Sequence, residues 1–204
     1  DFYSLMDDVE NLFSVLGQEN KITFTRLHMR DLWREYIGIN LDEYLTRETM
    51  LELCRGRGFN PKEDESYEDL FYRIFLNEIE PKLIDRGGII VHHYPMPMAA
   101  LSRPSATDIG YAERVEVYID GLEIANCFSE LTDAAEQHRR LEEEQKYRQK
   151  IGKDTFAIDN DFVEAVGLMP PSAGIALGVD RLVQILTGCK NIDDVLVLPA
   201  SKLF

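Results

Sequence analysis

Residues 114 to 119 alternate without exception, and this constrains the chain more than any other feature. Val115, Val117 and Ile119 fall on one side, and Arg114, Glu116 and Tyr118 on the other. Strict period-two alternation is the mark of a strand with one buried face. Asp120-Gly121 follows, a strong hairpin turn signal, and Leu122 to Phe128 supplies a returning antiparallel strand. The hairpin is also chemically loaded. Asn126, Phe128 and Glu130 share a face by parity, offering an amide, an aromatic ring and a carboxylate. That set suits an amino acid with an ammonium side chain. Glu116, across the turn, could hold a divalent metal with Glu123, since magnesium prefers oxygen ligands. Glu123 has the opposite parity to Asn126, so the two face one cavity only if the strand is bulged between them. Exposed carboxylates on an edge strand explain Glu116 and Glu123 equally well.

A second constellation lies about fifty residues on, at Gly174-Ile175-Ala176-Leu177-Gly178-Val179-Asp180-Arg181. Small residues at 174, 176 and 178 alternate with Ile175, Leu177 and Val179. This predicts a strand packed on one face and stripped on the other, so that a flat ligand approaches the backbone. Arg181, in the first turn of the next helix, suits phosphate oxygens.

The rest of the chain reads as helices first. Phe2 to Val15 carries apolar residues at helical spacing, with Gly17 as its end. Further helices are expected from Leu27 to Tyr36, after Thr25, and from Arg47 to Cys54. Ser66 caps another, whose buried stripe is Leu70, Phe71, Ile74, Phe75 and Ile79. After Gly87-Gly88, Ile89 to Val91 is a strand that runs through His92-His93-Tyr94. A polar helix from Thr132 to Arg148, capped by Thr132 or Asp133, a short helix from Asp161 to Val166, and a helix from Val179 to Leu186 complete an α+β layout. His92 and His93 are expected to point to opposite faces, His28 and His138 to be solvated, and Trp33 to be core or interface.

Composition narrows the function. Against 22 basic residues stand 37 acidic ones, a net charge of −15. Such a chain has no general attraction for nucleic acid, but it suits a site for an ammonium group or magnesium. Cys54, Cys127 and Cys189 form no CxxC pair, which predicts neither a disulfide framework nor a zinc site and implies a reducing, cytoplasmic setting. No apolar run reaches membrane-spanning length, and the N-terminus has no signal-peptide pattern.

Gly174 to Arg181 resembles motif 3 of class II aminoacyl-tRNA synthetases, and Glu116 to Leu131 resembles the active-site hairpin of their lysine branch. The likeness continues through Thr132-Asp133-Ala134-Ala135-Glu136-Gln137 and Val195-Leu196-Val197-Leu198-Pro199. Within the branch, Ala176, the helix leading to Pro81 and the His93-Tyr94-Pro95 segment look like elongation factor P–β-lysine ligase, where lysyl-tRNA synthetases usually carry glycine at the position of Ala176. The resemblance implies an antiparallel sheet flanked by helices. It implies ATP and Mg2+ as cofactors, activation of lysine or β-lysine as an acyl-adenylate, and transfer to a lysine of elongation factor P, or to tRNA in the alternative. A catalytically dead binding module is the rival of a different class. By the resemblance, Glu116 and Glu123 bind magnesium and ATP with Gly178 and Arg181, and Arg181 holds the γ-phosphate. Asn126, Phe128, Glu130, Gly174 and Ala176 line the amino acid pocket. Cys127 stands where the family usually has glycine and is expected beside the pocket. Motifs 1 and 2 find no match, so residues 1–204 are expected to be the C-terminal part of one catalytic domain that is inactive alone and dimeric when full length. Residues 1–87 form its mainly helical segment and 88–204 its sheet.

Overall fold

A computed structural model describes residues 1–16, 22–84 and 86–202. The end expected at Gly17 lies outside them. Five strands form one sheet in sequence order: β1 (Phe24–His28), β2 (Gly88–Pro95), β3 (Tyr111–Ile119), β4 (Leu122–Ser129) and β5 (Ala173–Leu177). The pairs from β2 to β5 are antiparallel, whereas β1 runs parallel to β2, with Phe24 opposite Gly88 and His28 opposite His92. The sheet is therefore mixed. β1 corrects the expected helix start: helix α2 begins only at Met29 and ends at Ile37. Thr25 and Arg26 disguise the strand. Arg26 spends its charge on α1 (Phe2–Leu16), in ion pairs of 2.6 Å to Asp7 and 2.7 Å to Glu10.

Each face of the sheet carries its own core. On one, α1 lays down Phe2, Met6, Val9 and Phe13 against Ile90, Val115, Val117, Ile119 and Cys127, with Leu182 of α7 (Val179–Thr187) alongside. On the other, α2, α3 (Arg47–Gly56) and α4 (Tyr67–Ile74) bury Leu32, Trp33, Met50, Leu70 and Phe71 against Ile89, Val91 and Tyr118. Burial of each large side chain stabilises by about 1.5–3 kcal/mol. Ser66 caps α4 as expected, in a reciprocal capping box with Asp69. The α4 stripe continues through a wider, π-type turn that keeps Phe75 and Ile79 buried.

This second set of helices covers only the β1–β3 half of its face. The β4–β5 half stays open as a cleft. Helices α5 (Ala134–Lys150), capped by Asp133, and α6 (Asn160–Leu168) pack together before β5. The apolar side of β5 is less packed than its alternation predicts, with Ile175 41% exposed, and Val179 at the start of α7 is 62% exposed. No helix among the described residues is long and apolar enough to cross a membrane.

Two histidine expectations are corrected. His28 is buried and accepts the Arg30 N–H at the start of α2. His92 and His93 do not diverge, because β2 breaks register between His92 and Tyr94 and His93 takes a φ of 59°. Their Nδ1 atoms lie 2.6 Å apart. His138 is half-exposed beside Glu142, as expected, and Trp33 is core.

Candidate active site

Strand register decides which side chains share the open face. Glu116 pairs with Asn126 and Arg114 with Phe128, so all four lie on one side of the hairpin. Val117 pairs with Ala125 but Tyr118 with Glu123, leaving Ile124 as an extra residue in β4. This is the bulge that the parity of Glu123 demands, and it turns Glu123 onto the face of Asn126. On the far side of β4, Asn126 opposes Ala176 and Phe128 opposes Gly174.

The cleft holds about 300 Å3 and is lined by Glu123, Asn126, Ala176, Gly178, Asp180 and Arg181. Arg181 donates from Nη1 to the Glu123 carbonyl at 2.6 Å, with Glu123 Oε2 at 3.6 Å. The glycine-bearing strand and the acidic hairpin are thus walls of one cavity. The Oδ1 of Asn126 is buried without a partner, an acceptor suited to an amino group of a bound ligand. Gly178 starts α7 with no side-chain cap, so the first N–H groups of that helix are free for an anion.

Glu130, at the end of β4, lies against Gly174. A Cβ on Gly174 would sit 2.4 Å from Glu130 Oε1, so glycine is what lets this carboxylate occupy its place. Burial raises the pKa of Glu130. Glu123 is raised too, first by burial and then by the charge of Glu116, while Arg181 opposes the rise.

Glu116 is held far more firmly than an edge-strand charge. It is 3% exposed, with Tyr94 and Tyr118 hydroxyls donating to Oε2 at 2.6 Å each and Arg114 donating to Oε1 at 2.7 Å. Three donors occupy three of roughly four lone-pair positions on the carboxylate. As a magnesium ligand, Glu123 fits directly, being half-exposed and facing the cleft. Glu116 has only one oxygen direction left to offer. Sequence reasoning missed Glu80: its pKa is raised by burial and by Glu123 and Glu116, so it belongs to the same acidic neighbourhood.

Cys127 is not beside the pocket. It pairs with Val115 and Ile175 and packs into the α1-side core, on the sheet face away from Asn126.

An open face on a largely antiparallel sheet, with an acidic hairpin beside a glycine-bearing strand and a helix-borne arginine, defines a class. The sequence model of the tRNA synthetases class II (D, K and N) matches residues 2–202, and the chain belongs to that family. Curated relatives of two kinds are similar to it. The lysine–tRNA ligase of Listeria innocua is 31% identical over 99% of this chain and 43% of its own length. The elongation factor P–(R)-β-lysine ligase of Haemophilus influenzae is 37% identical over 81% of the chain and 51% of its own length. That of Hamiltonella defensa is 32% identical over 99% and 62%. The chain spans about half the length of the curated relatives it matches.

Proposed function

We propose that this cleft activates lysine or β-lysine with ATP and passes the acyl group to a lysine of elongation factor P. The observation that carries the reading is the shared cavity: Glu123 and Asn126 of β4, Ala176 and Gly178 of β5 and its exit, and Arg181 of α7 line one wall-to-wall space. The amino acid carboxylate attacks the α-phosphorus of ATP, forming an acyl-adenylate and releasing pyrophosphate. The acceptor amine then attacks the acyl carbon, and AMP leaves.

In this reading Glu130 pairs with the side-chain ammonium, and Phe128 and Ala176 flank the carbon chain. Asn126 orients an amino group through its unpartnered oxygen. Arg181, with the uncapped start of α7, holds the terminal phosphates. Glu123, seconded by Glu116, would hold Mg2+, which when bound neutralises phosphate charge. The protein's contribution is placement and fixed charge.

Similarity to lysine–tRNA ligases over 99% of the chain favours a second reading, with tRNA as acceptor. The net charge of −15 supports the protein acceptor, since a polyanion gains little from this surface. Pyrophosphate exchange by the full-length protein, with α-lysine against β-lysine, tests the activation step. Labelled acyl transfer to elongation factor P or to tRNA then separates the two acceptors. No exchange with either amino acid sinks both readings and leaves a binding module.

A further inference from the structure

A cluster of imidazoles on the other side of the sheet plays no part in this chemistry. His28 ends β1, and His92 and His93 lie at the irregularity in β2. Asp108 reaches them from the turn before β3. That turn is preformed: the Asp108 N–H donates to Ser105 Oγ at 3.1 Å and its carbonyl accepts from Tyr111 N–H at 3.1 Å. Phe2 of α1 meets the His93 ring edge-on at 5.1 Å, which places the cluster on the α1 side, away from the cleft.

We propose that His28, His93 and Asp108 form a binding site for a divalent transition ion of the zinc type. One ring nitrogen each of His28 and His93 and a carboxylate oxygen of Asp108 lie within 4.8 Å of one another. Both Nε2 atoms are buried and have no hydrogen-bond partner, in side chains that are 9% and 3% exposed. Orphaned nitrogens of this kind are rare, and here two lie within 4 Å of one carboxylate.

The spacing points the same way. His28 Nε2 is 3.7 Å from Asp108 Oδ1, and His93 Nε2 is 3.9 Å from Oδ2. Groups that share a proton approach to about 2.7–3.2 Å. Ligands set about 2.0–2.2 Å from one zinc ion in a tetrahedron keep about 3.4 Å between them. The observed gaps are too long for the first and come within about half an ångström of the second; the His28 and His93 rings, stacked at 4.6 Å with 10° between their planes, must also turn for both lone pairs to meet on one ion.

The surroundings suit an ion held through neutral imidazole. Burial lowers the pKa of all three imidazoles, so their lone pairs are free at neutral pH. With His93 bound through Nε2, its Nδ1 carries the proton and donates to His92 Nδ1, the outer-shell bond that fixes a ligating histidine. His28 must make one change. Its Nδ1 now accepts the Arg30 N–H at 3.0 Å, and coordination through Nε2 moves its proton to Nδ1 and releases that contact. Arg30 also stands 3.5 Å from Asp108 Oδ1 and would yield that oxygen to the ion. Asp108 is 28% exposed, which leaves an entry path and a fourth position for water.

Cobalt(II) titration of the tag-free, full-length protein in excess magnesium tests the site, because magnesium saturates oxygen-only sites and cobalt reports through its visible absorption. The expected result is one cobalt per chain, displaced by zinc. His93→Gln and Asp108→Asn should each weaken it at least about tenfold while metal-free unfolding stays cooperative. Imidazole 15N spectra give a second readout: zinc should move the signals of His28 and His93 and leave those of His138 in place. Binding that survives both substitutions, ring signals that move only at His138, or no uptake at micromolar cobalt would overturn the proposal.

Discussion

Glu116 shows how much one side chain can hide. Alternation placed it on the right face, but whether it met water or protein depended on Tyr94, over twenty residues earlier, and on Arg114, two residues earlier. Removing the buried cation should hurt more than removing one hydroxyl. Arg114→Met should cost about 3–5 kcal/mol, because it strands a buried carboxylate. Tyr118→Phe should cost about 1.5–3 kcal/mol, the value of one hydrogen bond to a charged group. Urea unfolding of both variants checks the order. Gly174→Ala should push Glu130 aside: the KM for the amino acid in pyrophosphate exchange should rise about tenfold or more, with stability changed by less than about 1 kcal/mol. Cys127 and Cys54 are buried, and burial pushes their thiols up to about 12 and about 11. Neither is a thiolate at pH 8, so a thiol reagent should titrate one group per native chain, at the half-exposed Cys189, and three after denaturation. Parity alone already separated Cys127 from the Asn126 face; only the family comparison put it beside the pocket.

Among the elements, the hairpin was legible because its turn chemistry and its alternation agree. Asp120 and Gly121 both adopt positive φ, 48° and 82°, as the tight turn requires, and Asp120 Oδ1 accepts the Gly87 N–H at 3.0 Å. Asp120→Ala should therefore lose about 1–2 kcal/mol in thermal or urea unfolding, while Asp120→Asn should keep most of it. Strand β1 was illegible for a matching reason. Its partner lies some sixty residues away in a parallel pairing that leaves no turn signal, and its polar residues turn inward, Arg26 to α1 and His28 to a buried position, rather than to water. The histidines were misread through the same cause, since a register break in β2 has no local signature in His92-His93.

For the molecule as a whole, charge and openness set the limits. Among the described residues, the cleft is lined by a single basic side chain, Arg181, facing Glu123 and Asp180. Charge built up at an α-phosphate needs more positive groups than that. If the proposed function holds, residues 1–204 alone should show no lysine-dependent pyrophosphate exchange above background. Lysine-dependent exchange clearly above background by this polypeptide would refute this. The exposed apolar residues Ile175, Val179, Val183 and Leu186 along β5 and α7 should make residues 1–204 bind a hydrophobic dye.

The supernumerary residue Ile124 has one more consequence. Because it resets the phase of β4, the tip of the hairpin and its base are locked to each other in frame. Adding or removing one residue between Glu123 and Asn126 would turn Glu123 to the opposite face of the sheet, whereas lengthening both arms by two leaves every orientation intact. Length variation between Glu123 and Asn126 is therefore confined to even steps.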